Sequence, residues 1–203
     1  EGVHAAHVLG EHEGAPLVHG DLRPETLMVT FAGVTKVSGY GALAVAPREA
    51  GSDDVVGRRR YAAPEQILGG RDLARPQTDV FLLGLALYEA LTGQPPFAGV
   101  DDLESAIITT PLAVDVKAIP APLRPVIARA TAKRAPDRFP TALALAEAIE
   151  EAMGPLAPDE TVAAFLDPHF RDDAARRARR QEIETGIADF VRRQGARPEQ
   201  ARP

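Results

Sequence analysis

The stretch from Thr78 to Gly93 is apolar on nearly every side of a helical projection: Val80, Phe81, Leu82, Leu83, Leu85, Leu87 and Leu91 leave no face for water. It is too short to span a bilayer, so other elements must surround it. That requirement predicts a mainly α fold built around a central helix. A length of 203 residues with 45% apolar composition supports a core of that kind, as one domain with a tail. No run approaches the 18 or more apolar residues of a membrane span and no charged-then-apolar leader opens the chain, so a soluble protein without a membrane partner is expected. Zero cysteines exclude disulfides and thiolate chemistry and fit a cytoplasmic location.

Before the central helix, a polar loop, His19-Gly20-Asp21-Leu22-Arg23-Pro24-Glu25-Thr26, lies between the apolar Leu17-Val18 and Leu27-Met28-Val29. Leu27 to Thr30 and Val34 to Val37 flank Ala32-Gly33 and read as a small hairpin. Upstream, Val3, Ala6, His7 and Leu9 have the spacing of an amphipathic helix that Gly10 is expected to stop. His4, His7 and His12 share that region, but no carboxylate or thiol completes a metal-ligand pattern. Between Gly39 and Glu65 no period is visible and an exposed loop is expected. Downstream come Tyr61-Ala62-Ala63-Pro64-Glu65, the pair Pro95-Pro96 that blocks continuation of the central helix, and Asp137-Arg138-Phe139. Helices are predicted over 101–108, 122–132 and 141–153, the last with Thr141 as N-cap and a stripe of Ala142, Leu145, Ala148, Ile149 and Ala152.

In this order the motifs resemble those of the eukaryotic-type protein kinases, including the bacterial serine/threonine kinases. The loop resembles His-Arg-Asp-Leu-Lys-Pro-x-Asn, Gly39-Tyr40-Gly41 falls where the family has Asp-Phe-Gly, and Tyr61 to Glu65 resembles Tyr-x-Ala-Pro-Glu. The resemblance covers residues 1–153 and implies the C-terminal lobe of a kinase, mainly α with one β-hairpin; the upper lobe, which precedes the loop in the family, is expected to be absent from this chain. It implies that Asp21 holds the place of the catalytic base with Arg23 beside it. It also implies that Asp79 bonds the backbone of the loop and that Glu65 pairs with Arg138. Two positions depart from the pattern: Thr26 replaces the family's magnesium-binding Asn and Gly39 its magnesium-binding Asp. Metal neutralisation of phosphoryl charge is worth several kcal/mol, so losing both ligands should cost about a thousandfold or more in rate. The expected function is accordingly that of a pseudokinase in signalling, a scaffold or binding module with no cofactor. The alternative is a divergent active serine/threonine kinase using ATP and magnesium.

Gly154 to Pro158 reads as a linker, followed by a helical tail over 159–203 with helices at Asp159 to Leu166 and Asp172 to Arg193. From Arg171 onward nine basic face six acidic residues, a net of +3 that leaves −9 for the remainder. An acidic chain without interleaved aromatics is not expected to bind nucleic acid. The stripe Ile183, Ile187, Phe190 and Val191 must be buried, and the base of the lobe is its expected dock. The partner expected is another protein, on the face that an upper lobe would cover, where Leu27 and Val37 should lie near the open edge.

Overall fold

The computed structural model describes residues 1–12, 14–40, 59–70 and 73–170. Its axis is helix α3, Pro76–Thr92, preceded in chain order by α1 (Gly2–His12), strands β1 (Leu27–Val29) and β2 (Thr35–Val37), and α2 (Pro64–Gly69). After it come α4 (Leu103–Thr109), α5 (Leu123–Ala130), α6 (Ala142–Met153) and α7 (Asp159–Phe170). The mainly α architecture with one hairpin is thus present. Among the described residues no helix is long and apolar enough to cross a membrane.

Helix α3 starts two residues before the predicted Thr78, because Pro76 occupies the first helical position, where its fixed φ suits the helix and its missing N–H costs nothing. It ends at Gly93, whose φ of +65° turns the chain away. Phe81, Leu82 and Leu85 are fully buried, each worth about 1.5–3 kcal/mol of transfer free energy. Their neighbours come from α5 and α6, which pack on α3 and on each other. The amphipathic face of α5 supplies Leu123, Val126, Ile127 and Ala130. Thr141 caps α6 by accepting a hydrogen bond from the Ala144 N–H at 3.1 Å.

The hairpin is antiparallel, with Leu27 opposite Val37, Met28 opposite Lys36 and Val29 opposite Thr35. Leu27 and Val37 are half-buried against the core, so the expectation that they form the open edge is corrected: Met28 and its partner Lys36 on the opposite face are exposed, as are Val29 farther along the Leu27 face and Phe31 of the turn. Gly10 does not stop α1, which continues to His12. Its role is close approach: a Cβ there would overlap the backbone of Ala15 and Leu17, where the chain doubles back across the helix.

Helix α7 runs to Phe170, past the predicted end at Leu166, and includes Pro168. Its first turn abuts the hairpin turn: a Cβ on Gly33 would overlap the Asp159 carbonyl, and Gly33 is buried while Phe31, Ala32 and Val34 around it are exposed. The turn has no room for a side chain at that position, which also needs a φ of +82°. The predicted helix over 172–193 with its Ile183 to Val191 stripe, and residues 41–58 of the predicted loop, lie outside the described residues. The end of that loop is ordered into the fold: Arg60 is half-buried and donates to the carbonyls of Pro96 and Phe97, and Tyr61 and Ala63 are buried.

Candidate functional site

Asp79 organises the site. It lies in the first turn of α3, fully buried, where the helix dipole favours a carboxylate. Its Oδ2 accepts from the His19 N–H at 2.8 Å and its Oδ1 from the Gly20 N–H at 2.7 Å, which fixes the backbone immediately before Asp21. His7 of α1 donates from Nε2 to the same Oδ2 at 2.8 Å. One carboxylate thereby ties α1, the loop and α3 together, and two charged or charge-assisted bonds to backbone amides are the strong kind. Gln66 of α2 braces the loop from another side, donating to the Gly20 carbonyl at 2.8 Å while its Oε1 caps the Ala63 N–H at 2.9 Å.

His19 reports its own tautomer. Nε2 meets the Ser38 carbonyl at 2.8 Å and must therefore carry the hydrogen; Nδ1 then accepts from the Asp21 N–H at 3.2 Å. The ring packs edge-on to Tyr40, centroid to centroid 4.6 Å. Burial raises the Tyr40 phenol above its ordinary range, and the Asp79 charge raises it further.

Asp21 lies within 3.8 Å of the Arg23 Nε through its Oδ2. Thr26 is buried, and its hydroxyl is engaged within the loop: it donates to the Arg23 carbonyl at 2.8 Å and accepts from the Arg23 N–H at 3.1 Å. Gly39, with φ of +96°, stands against the same corner; a Cβ on it would sit 3.6 Å from His19 Nε2 and 3.7 Å from Thr26 Cγ2. Residues 19, 26 and 39 therefore converge on one spot, and neither 26 nor 39 brings a carboxylate to it.

Glu65 and Arg138, 73 residues apart, form a two-pronged pair below the loop, Nη1 to Oε1 at 2.7 Å and Nη2 to Oε2 at 2.8 Å. Thr78 donates from Oγ1 to Glu65 Oε1 at 2.8 Å. All five N–H groups of Arg138 are used, the others on the carbonyls of Ala132, Gln77 and Lys133. Its guanidinium also lies over the Phe81 ring at 4.7 Å. Burial by itself would raise the Glu65 carboxyl, but the bonds and charge of Arg138 hold it below its ordinary range.

A family model described as the protein kinase domain matches residues 1–184. The chain belongs to the protein kinase family. Among its relatives, the tyrosine-protein kinase MasK of Myxococcus xanthus is 33% identical over 186 residues, which cover 85% of this chain and 28% of MasK. The serine/threonine-protein kinase PknL of Mycobacterium tuberculosis is 33% identical over 186 residues, covering 87% of this chain and 43% of PknL. PknB of the same species is 32% identical over 136 residues, 62% of this chain and 21% of PknB. The chain spans less than half the length of these kinases. Its fold is that of a kinase C-terminal lobe, and the match runs past residues 154–158 into α7 and beyond.

The sequence singled out Asp21, Arg23, Thr26, Gly39, Asp79, Glu65 and Arg138, and the fold gathers them into two clusters that share α3. Reasoning from sequence missed Gln66 and the bond from His7 to Asp79. For Gln66 a signal existed, since Gln three residues after the residue preceding a helix is the reciprocal half of a capping box. His7 offered none beyond its place on the buried side of α1.

Proposed function

We propose that this chain acts as a pseudokinase-type module, a cytoplasmic signalling scaffold that works by binding another protein and does not itself transfer phosphate. The observation that carries the reading is the corner where His19, Thr26 and Gly39 meet. A magnesium ion bridging nucleotide phosphates needs hard oxygen ligands, above all carboxylates. Here position 39 has no side chain and the Thr26 hydroxyl is bonded to the Arg23 backbone. The residues present do not fit that ion, and Asp21 in the place of the base then has no bound phosphoryl group to act on. What remains serviceable is surface. Met28, Val29 and Phe31 are about half exposed, as is Leu17 on the approach to the loop, a set of apolar side chains suited to a protein partner.

A second reading, a divergent active serine/threonine kinase with Asp21 as base and ATP with magnesium as cofactors, is favoured by one observation: Asp79 and Gln66 still hold the loop on both sides of Gly20. One experiment separates the two. The chain is incubated with radiolabelled ATP, magnesium or manganese, and generic protein substrates, alongside Asp21→Asn. No incorporation above background is expected from either protein; incorporation by the unaltered chain that vanishes in Asp21→Asn would replace the first reading with the second.

A further inference from the structure

Gly33 is buried at the apex of a turn whose other apolar residues, Phe31, Ala32 and Val34, are exposed. Backbone of α7 covers it: a Cβ at Gly33 would lie 2.7 Å from the Asp159 carbonyl carbon and 3.0 Å from the Ala163 nitrogen. The seat admits a residue without a side chain and nothing larger.

Outside that seat α7 is lightly held. Of its side chains from Asp159 to His169, Val162, Ala163 and Leu166 are half-buried and the others are exposed, Phe165 at 69%. The amides of Thr161 and Val162 bond the Pro158 carbonyl, which belongs to the same segment. The connection from α6 is exposed from Pro155 to Pro158 and follows Gly154, where a φ of +86° turns the chain out of α6. A helix of 12 residues is marginal in water on its own, and Pro168 removes one of its internal hydrogen bonds. Docking and helix formation in α7 are therefore coupled. The lobe has no such dependence on α7: among the described residues its buried clusters and the apolar side chains packed on them run from Val3 to Ala152. A segment with few buried contacts opens far more often than the core it rests on.

We propose that α7 is a displaceable strap: docked on Gly33 it closes the apex of the hairpin, and released it opens that apex to a protein partner. The inference rests on the reading of Met28, Val29 and Phe31 as a surface for another protein. A stable interface covers about 800 Å² on each side, more than those three side chains can supply, so a partner seated there must extend beyond them. Val29 ends β1 and the turn follows, which puts the seat of α7 next along the strand. Partner and strap then compete for the apex, and the docked strap is autoinhibitory.

Hydrogen exchange on the full chain tests the strap directly. The amides of Val162 to Leu166 should be protected, yet exchange at least about a hundredfold faster than those of Phe81 to Leu85. Equal protection would mean that α7 opens only when the lobe unfolds, and no protection would mean that it has no seat; either overturns the proposal. The double change Val162→Asp with Leu166→Asp alters the strap alone. It should abolish protection in α7, leave that of α3 unchanged, and raise the fluorescence of anilinonaphthalene sulfonate, used as an apolar probe, by about threefold or more. Release of α7 with no gain in probe binding would show that it covers no apolar surface, and would also overturn the proposal. Gly33→Ala places a methyl group in the seat and should release α7 from the other side; because it also strains the turn, the strap variant decides if this one does not fold. Neither measurement contains ATP or a partner. A chain that transferred phosphate would leave both results standing, and a fixed α7 would leave the partner reading standing.

Discussion

The pair of Glu65 and Arg138 meets the start of α3 at Thr78 and the corner of Thr26 and Gly39 meets it through His19 and Asp79, and the two differ in how completely they are bonded. Around Arg138 every N–H has an acceptor and Glu65 takes three bonds. At the corner the Tyr40 hydroxyl and the Arg23 Nε are buried without a hydrogen bond, and position 39 contributes backbone alone. A fully satisfied polar network fixes one arrangement, because any other would strand a charge in low dielectric. A partly satisfied one fixes little. The scaffold of this lobe is therefore held by electrostatics that do not depend on any bound group, while the corner where phosphates would meet the protein is held mainly from outside, through Asp79.

The sharpest way to break that contrast is Asp79→Ala. It strands two loop amides and the His7 ring in a buried site, and a loss of about 4 kcal/mol or more in urea unfolding is expected, with the loop amides losing hydrogen-exchange protection. If stability fell by less than about 1 kcal/mol, the loop would be held by something other than this carboxylate. Next in size is Arg138→Leu, which leaves Glu65 charged and short of partners; a loss of about 3 kcal/mol is expected, near the lower end for a broken buried pair because the Glu65 side chain keeps 20% of its exposure. Adding Glu65→Gln to Arg138→Leu should recover part of the loss, since the stranded charge is then gone.

The pair also sets a pH dependence whose sign is fixed. The folded Glu65 carboxyl lies below its ordinary value of 4.5, so its stabilisation is complete above that pH and disappears as pH falls through the lower, folded value. The gap in stability between the unaltered chain and Glu65→Gln should accordingly narrow on acidification below about pH 4.5 and stay constant at neutral pH. A gap that widened in acid would reverse the assignment. Smallest of all should be Thr26→Val, which removes the two bonds of the hydroxyl to Arg23 at about 1 kcal/mol and leaves the Glu65 pair and its acid profile untouched. Thermal melts and one acid titration check it.

Much of this fold was legible because its signals are local or are carried by motifs in order. The apolar surround of Phe81, Leu82 and Leu85 marks a core helix, and the cap at Thr141 marks where the last helix of the lobe starts. Asp79, Glu65 and Arg138 could be placed in their contacts by the resemblance alone, since nothing in the local sequence of a lone Asp, Glu or Arg says what lies across the fold. Gly10 looks like a helix stop in one dimension, yet α1 runs through it and it marks the close approach of the backbone at Ala15 and Leu17, which periodicity does not reveal. At Gly33 the turn is where it was expected, and what the local sequence does not show is the approach of Asp159 from far along the chain. Which residues of β1 are exposed was likewise undetermined: a three-residue strand is too short for alternation to show which side is buried.

The three bonds of Asp79 reach back 59, 60 and 72 residues along the chain. During synthesis, at roughly 5–20 residues per second, the loop leaves the ribosome about 3–12 seconds before the carboxylate that will hold it has been made. Arg138 arrives later still, 73 residues after its glutamate. Through that interval the amides of His19 and Gly20 lack the acceptor that will hold them, and the nascent segment carries the apolar residues of β1 with no core helix to receive them. Synthesis thus runs ahead of locking in this lobe: the loop waits for the carboxylate of α3 and Glu65 waits longer for its arginine, which makes the interval before α3 emerges a stage at which a nascent chain of this kind is open to chaperones, proteases and wrong pairing.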